Sequence, residues 1–194
     1  MGAIEGVGRR GFLQALLSVT ALGLPKGTDA MTSAEGTVQR LTITSSKSFE
    51  DVIAAFEAAI GHPNMTEFLN AMGAAKTNVE MEGVVHGALG KSGFIQFARF
   101  DLGAVVRKET GQQTPKIVRF LVGNPLVMKE MVKRVPDAGS YAPVTVLIDE
   151  RSDGVHLSYD KMSAFLAPYR NSDAISVARD LDAKVENLLE QAAA

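Results

Sequence analysis

An apolar run that ends abruptly in Gly123-Asn124-Pro125 constrains the fold more than any other feature of this sequence. In the run 116–122, Arg119 is the one charged residue after Lys116, which is typical of a strand covered on both faces. Gly permits the turn, Asn is a preferred N-cap, and Pro fits the first turn of a helix. We therefore predict a strand over 116–122 and a helix over 126–134. The helix start is either an anion site or an ordinary capped turn without ligand.

A β-hairpin is predicted further along the chain. Two runs rich in β-branched residues, 144–150 and 155–160, flank a turn that contains Asp153-Gly154, and this dipeptide is a strong hairpin signal. In the second strand apolar residues alternate with His156 and Ser158, so one face is predicted to be buried and the other polar. We expect His156 to be solvated on the polar face, and the alternative is a functional role.

The remaining periodicities complete a fold prediction. The predicted strands are 38–44, 93–101, 116–122, 144–150 and 155–160. Strand 93–101 is expected to be central or near-central, and the polar segment 107–115 to be a loop. Helical stripes predict a helix opened by Ser48, a helical insert over about 64–90, and a long last helix that docks on the sheet or on a partner subunit. The fold class is α/β (α+β), a single mixed five-stranded sheet with helices packed mainly on one face.

Composition excludes several classes of function. The formal net charge is −2 and no basic block occurs, so binding to nucleic acid has no electrostatic support. The chain contains no cysteine, which removes disulfides, thiolate nucleophiles and cysteine–zinc sites. The sequence lacks a glycine-rich nucleotide loop, G-x-S-x-G and H-E-x-x-H, so no catalytic motif, metal site or cofactor is identified.

The first thirty residues resemble a targeting segment. Arg9 and Arg10 stand directly before an apolar stretch, 12–24, which is typical of a twin-arginine export signal and is too short for a stable membrane anchor. This predicts a signal peptide over 1–30, a disordered linker over 31–37, and a single domain over 38–192. The expected location is periplasmic or otherwise exported, with the twin-arginine translocase as a transient partner. The alternative is a cytoplasmic protein that starts at Met31.

Several segments together resemble the family catalogued as domain of unknown function 302. The matching segments are Ser48-Phe49-Glu50, Gly93–Asp101, Val122–Pro125, Pro143–Glu150 and Asp153–Tyr159. The resemblance covers roughly 38–160 and implies a small α/β domain that is often dimeric and has no established activity. Many members carry Asp-His after the second strand where this chain has Asp101-Leu102, and the segment 61–91 is longer than the family's usual link.

Three hypotheses for function follow. The first is a non-enzymatic binding module, expected to be a homodimer, for a small anionic or amphiphilic ligand near the Gly-Asn-Pro turn. The candidate ligand-binding residues are Asp101, Arg119, Gly123, Asn124, Tyr141, His156 and Tyr159. The second is an enzyme in which Asp101 acts as base and His156 or Tyr159 as acid. The third is an assembly protein of the cell envelope. If the strands 93–101 and 116–122 pair as a hairpin, Asp101 and Arg119 are expected to be cross-strand neighbours.

Overall fold

The computed structural model describes residues 36–194. The predicted signal peptide with Arg9 and Arg10, and most of the predicted linker, lie outside the described residues. None of the helices within residues 36–194 combines the length and the apolar composition that crossing a bilayer requires.

Within the described residues the chain forms five strands, seven α-helices and two short 3-10 helices. The strands are β1 (Arg40–Ser45), β2 (Ile95–Asp101), β3 (Ile117–Gly123), β4 (Val144–Arg151) and β5 (Gly154–Asp160). The α-helices are α1 (Phe49–Ala59), α2 (Met65–Ala74), α3 (Asn78–Ala88), α4 (Gly103–Thr110), α5 (Pro125–Val132), α6 (Met162–Leu166) and α7 (Ser172–Ala193). The 3-10 helices are Pro136–Ser140 and Ala167–Tyr169.

The strands form one sheet in the order β1-β5-β4-β3-β2, which confirms the predicted α+β class with a single five-stranded sheet. Every pairing between these strands is antiparallel, whereas a mixed sheet was predicted. The reason lies in the connection after β3. Helix α5 and the following 3-10 helix return the chain to the same end of the sheet, so that Val144 pairs with Val122 and β4 runs back along β3.

Strand β2 is an edge strand, which corrects the prediction of a central position. Its apolar sequence is explained by the helical insert α2–α3, because Ile95 packs against Phe68 of α2 and Val85 of α3 in a small second core. A β-bulge between Gln96 and Ala98 also interrupts the alternation of side chains along this strand. An edge strand covered by helices therefore has the sequence pattern of a central strand.

The main core lies between the sheet and helices α1, α5, α6 and α7. Alternate residues of β3, namely Val118, Phe120 and Val122, are buried on this core face, whereas Arg119 on the second face is exposed. The apolar stripe of α7 is buried within the same chain, so this helix docks on its own domain. The buried residues of that stripe are Ala174, Ala178, Leu181, Val185, Leu188, Leu189 and Ala192.

The first four residues of the loop predicted over 107–115 are helical, and the other five, 111–115, are irregular as predicted. Helix α4 occupies 103–110 and ends at Gly111, whose φ of 69° is the left-handed conformation typical of a glycine helix stop. The Arg107 guanidinium donates a hydrogen bond to the carbonyl oxygen of Pro115 at 2.9 Å, so the segment after the helix folds back along it. Helix α4 is therefore stabilised in part by a contact with a residue outside the helix, which the amino-acid composition of the helix does not predict.

Candidate functional site

An apolar pocket of about 220 Å³ lies at the end of β3, where the sequence predicted a binding site. Its walls come from α2, the bulge of β2, the β3–α5 turn, α5 itself, the segment that leads into β4 and one residue of α7. The lining residues are Phe68, Leu69, Met72, Phe97, Gly123, Asn124, Pro125, Val127, Met128, Met131, Ala142, Pro143, Val144 and Leu181. Hereafter this cavity is called the apolar pocket.

The Gly123-Asn124-Pro125 turn shapes the pocket through its backbone. The side-chain oxygen Oδ1 of Asn124 accepts a hydrogen bond from Leu126 N at 2.9 Å, and its Nδ2 donates to Gly93 O at 3.0 Å. Asn124 is thus the predicted N-cap of α5, and both polar atoms of its side chain are engaged within the protein. A Cβ added at Gly123 would lie 3.4 Å from Pro143 Cβ and 3.5 Å from Phe97 Cε2, so glycine here leaves space open between those side chains.

The chemistry of the lining favours an apolar ligand over an anion. Asn124 is the one polar residue among the lining side chains, and none of them is titratable. Phe68 and Phe97 meet edge to face, with ring centroids 6.5 Å apart. Three methionines complete the walls, and their unbranched side chains adapt to ligands of different shape.

A second cavity lies beside the apolar pocket, over the second face of the sheet. It has a volume of about 440 Å³ and contains two of the predicted site residues, Arg119 and Tyr141. Its lining residues are Arg119, Leu121, Ser140, Tyr141, Ala142, Pro143, Val144, Thr145, Asp160, Met162 and Phe165. Hereafter this cavity is called the open-face cleft. The Tyr141 ring stacks on Phe165 with centroids 4.8 Å apart, and the Tyr141 hydroxyl lies 3.4 Å from that of Tyr169.

Asp101 lies apart from both cavities. Its carboxylate accepts hydrogen bonds from Arg107 Nη2 at 2.7 Å and from Ala104 N at 2.9 Å. The register of β2 on β3 places Asp101 opposite Val118 and Phe100 opposite Arg119. The expected Asp101–Arg119 neighbourhood is therefore wrong, because the bulge in β2 shifts the register and directs the two side chains to opposite faces.

The hydrogen bond from Arg107 lowers the pKa of the Asp101 carboxyl below its ordinary value, which favours its ionised form. In an Arg107→Gln variant we expect this pKa to rise toward the ordinary value, as measured by NMR titration of the carboxyl carbon. Arg99→Gln serves as the control. The charge of Arg99 lowers the pKa of Asp101 less than the hydrogen bond from Arg107 does, so we expect a smaller rise of this pKa in the control. An unchanged pKa in Arg107→Gln would contradict the assignment of Arg107 as the partner.

His156 lies on the second face, as its alternation predicted, but it is not solvated. The residue is only 8% exposed, and its Nε2 lies 2.9 Å from Asp153 Oδ1. Its cross-strand neighbours are Thr44 and Asp149, and Arg151 pairs with Asp149 beside it. The hydrogen bond with His156 lowers the pKa of Asp153. The prediction of a solvated histidine was wrong, because the side chain is buried on this face and lies within hydrogen-bonding distance of Asp153.

Tyr159 points into the core and is bonded to a carboxylate that the sequence analysis did not select. Its hydroxyl donates to Asp182 Oδ1 at 2.7 Å, and Asp182 also accepts from Met162 N at 2.8 Å and from the N–H and hydroxyl of Ser163. Burial, followed by the charge of Asp182, raises the pKa of Tyr159 well above its ordinary value. The hydrogen bonds of Tyr159 and Asp182 therefore connect β5, α6 and α7.

The residues of the acid–base hypothesis are not brought together. Asp101 is on β2 and His156 and Tyr159 are on β5, so three strand spacings of about 4.8 Å, roughly 14 Å in all, separate them. His156 and Tyr159 also lie on opposite faces of the sheet. Within residues 36–194, no group of three or more histidine, aspartate or glutamate side chains is placed to hold a metal ion.

Sequence reasoning found the turn at the pocket but not its walls. Phe97 enters the pocket from the bulge in β2, and Met72 and Leu69 enter from the insert. The signal available in the sequence was the helical spacing of apolar residues on α2. In the structure Leu69, one of these residues, is 59% exposed, so the stripe is not fully covered by the rest of the chain. An apolar stripe that is only partly buried by its own chain indicates a surface with room for another molecule.

Comparison with known proteins places this fold in a family. The family model described as "Domain of unknown function DUF302" matches residues 75–192, which begins after α2 and includes α7. A solved structure described as an uncharacterized conserved protein DUF302 from Bacillus stearothermophilus is 12% identical, with a TM-score of 0.55. The match covers 79% of this chain and 97% of that chain, and at this identity the likeness shows the fold alone. The comparison with curated proteins gave no match. Because the family model spans more than half of its length, the chain belongs to the DUF302 family.

Proposed function

We propose that this protein is a non-enzymatic binding module whose apolar pocket takes the apolar part of a small ligand. The observation that supports the proposal is a cavity of about 220 Å³ in which Asn124 is the one polar residue of the lining. An engineered cavity of about 150 Å³ lined by apolar side chains is dry and binds benzene. The apolar pocket is larger, so a small ring or a short alkyl chain fits its size and its chemistry.

The energetics of such binding are favourable. Each methylene group removed from water contributes about 0.8 kcal/mol, so six buried carbons contribute about 5 kcal/mol before the costs of association. The cost of immobilising the ligand reduces this gain, and dissociation constants in the micromolar to millimolar range are expected for simple compounds. Adaptable walls of methionine (Met72, Met128 and Met131) favour a class of related ligands over a single compound.

Binding is better supported than catalysis at this place. The side chains that line the apolar pocket include no nucleophile and no titratable group. Asp101 is held by Arg107, and Tyr159 by Asp182, so each is already committed to a contact within the protein. The amphiphilic form of the binding hypothesis is favoured over the purely anionic form, because Asn124 uses its polar atoms to cap α5 and to bond Gly93.

The proposal predicts that filling the pocket abolishes binding. The neutral fluorescent probe N-phenyl-1-naphthylamine is expected to bind the native protein with a micromolar dissociation constant. Met72→Trp places a large ring at the half-buried edge of the pocket, and we expect at least a tenfold loss of probe affinity, measured by fluorescence titration. Such a loss corresponds to about 1.4 kcal/mol.

The matched control is Val79→Trp. Val79 lies on α3, is 77% exposed and is not part of the pocket lining, so the same bulky side chain there should leave affinity unchanged. Circular dichroism and thermal unfolding of both variants check that the fold is kept. Absence of probe binding to the native protein, or equal affinity of Met72→Trp and native protein, would overturn the proposal.

A further inference from the structure

The apolar pocket and the open-face cleft are neighbours with a common wall. Ala142, Pro143 and Val144, the residues that lead into β4, line both cavities. Strand β3 connects them as well, since Gly123 lines the apolar pocket while Leu121 and Arg119 line the open-face cleft. One elongated molecule that crosses Pro143 therefore contacts both cavities.

These three residues of β3 form a track along one face of the sheet. Arg119, Leu121 and Gly123 alternate with the buried Val118, Phe120 and Val122, so they share the second face. At about 3.4 Å per residue, the track from Gly123 to Arg119 is about 14 Å long. Its character changes along its length, from an apolar end at Gly123 to a cationic end at Arg119.

Arg119 supplies a positive charge that the surrounding protein does not balance. Among residues 36–194 it makes no ion pair, and its one side-chain hydrogen bond is a long one of 3.4 Å to Thr145 Oγ1. Asp160 lines the same cleft, but both of its carboxylate oxygens are occupied by Arg40, at 2.7 and 2.8 Å. The guanidinium of Arg119 therefore retains donors for an anionic group, in the planar arrangement that suits a carboxylate.

The other walls of the open-face cleft suit an amphiphilic molecule. The Tyr141 ring, stacked on Phe165, supplies an apolar surface, and Leu121 supplies another. The Thr145 hydroxyl provides a further hydrogen-bonding atom next to Arg119, and the Ser140 hydroxyl lines the same cleft. The cleft is thus apolar where it adjoins the common wall and polar where Arg119 lies.

From this arrangement we propose that the ligand is a single-chain anionic amphiphile, with its apolar chain in the apolar pocket and its carboxylate on Arg119 in the open-face cleft. The inference rests on the proposed function, because it requires that the apolar pocket binds a chain. It adds the class of ligand and a residue, Arg119, that selects the headgroup.

The test compares three compounds that share one alkyl chain and differ in the headgroup: decanoate, decanol and decyltrimethylammonium. Each displaces N-phenyl-1-naphthylamine from the full chain at neutral pH, and the dissociation constants are compared. We expect decanoate to bind about tenfold tighter than decanol, as for a hydrogen bond to a charged group, and decyltrimethylammonium to bind most weakly. Arg119→Gln should remove most of the preference for decanoate and leave decanol unaffected.

Arg99→Gln is the matched control, because Arg99 is on the neighbouring strand and lines neither cavity. It should keep the preference for decanoate. Equal binding of decanoate and decanol, or an unaltered preference in Arg119→Gln, would overturn the headgroup assignment while the pocket proposal stands. Failure of all three compounds to bind, or binding that Met72→Trp does not weaken, would overturn both.

Discussion

Replacing Asp182 with alanine is expected to lower the free energy of unfolding by about 4 kcal/mol, a large part of the 5–15 kcal/mol typical of a domain. Asp182 is only 5% exposed, and its two carboxylate oxygens accept the hydrogen bonds described above from Tyr159, Met162 and Ser163. Its removal leaves the N–H of Ser163 and the hydroxyls of Tyr159 and Ser163 without this acceptor, and the Met162 N–H keeps only the Tyr159 hydroxyl at 3.1 Å. Each such loss costs about 1–3 kcal/mol.

The size of the effect follows from what the carboxylate connects. Asp182 is on α7, Tyr159 is on β5, and Met162 and Ser163 are the first residues of α6. Since α6 has no N-cap side chain of its own, Asp182 supplies from a distant part of the chain the acceptor that a helix start needs. The same group therefore stabilises a helix terminus and fixes α7 against the sheet.

Chemical denaturation monitored by circular dichroism measures the loss, and the melting temperature should fall by roughly 10 °C. Asp182→Asn keeps the volume and one acceptor oxygen, so we expect a smaller loss than for alanine. Asp180→Ala is the matched control, because Asp180 is exposed on the same helix and its removal should change stability by less than about 0.5 kcal/mol. Equal stability of the Asp182→Ala and Asp180→Ala variants would contradict the role assigned to the buried carboxylate.

Much of the fold was predictable, because local sequence and tertiary structure agree there. Each of the five predicted strands is present in the sheet, and each begins and ends within two residues of the prediction. Asn124 caps α5 and Ser48 caps α1, as their positions before the apolar stripes predicted. At the hairpin, Gly154 has a φ of 135° and approaches Ser45 so closely that a Cβ would lie 2.6 Å from its carbonyl oxygen.

The order of the strands and helix α4 were less accessible, because they depend on contacts between distant residues. Strand β2 is apolar because the helical insert covers it at the edge of the sheet. An apolar pattern along a strand indicates that the strand is covered, but it does not indicate whether another strand pairs with it on each side. Helix α4 is short and polar, and its support includes the contact of Arg107 with Pro115. Tertiary contacts overrode weak local preference in both places.

The candidate site was predictable in place but not in composition. The turn at Gly123-Asn124-Pro125 marked the end of the sheet where the apolar pocket lies. Arg119 and Tyr141 share the open-face cleft next to it, whereas Asp101 does not, because one extra residue in β2 changes which face its side chains occupy. A bulge has no reliable signal in a single sequence, so the opposite placement of Asp101 and Arg119 required the structure.

Gly90→Ala is expected to lower the free energy of unfolding by about 3 kcal/mol, at the upper end of the range for overpacking, and to weaken the proposed binding in the apolar pocket as well. Gly90 follows α3, and a Cβ at this position would lie 2.6 Å from Ile60 Cα and closer still to the backbone of Gly61. Real Cβ atoms essentially never approach that closely, so one of the two backbone segments must move. The carbonyl oxygen of Phe94 accepts hydrogen bonds from both Gly61 N and Gly90 N, so the movement also disturbs the entry to β2.

This clash bears on the proposed function because the segment between Gly61 and Gly90 is the helical insert. Phe68, Leu69 and Met72 of α2 form one wall of the apolar pocket, and the insert is held to the end of α1 where the two glycines meet. We expect faster amide hydrogen exchange over 61–96 in Gly90→Ala, together with lower affinity for N-phenyl-1-naphthylamine.

Gly83→Ala is a control of opposite sign, since Gly83 is exposed within α3 and a Cβ there meets nothing within 4 Å. Alanine at that helix position should stabilise the protein by about 0.5–1 kcal/mol. If Gly90→Ala behaved like Gly83→Ala, the close backbone contact would not be what holds the pocket wall in place.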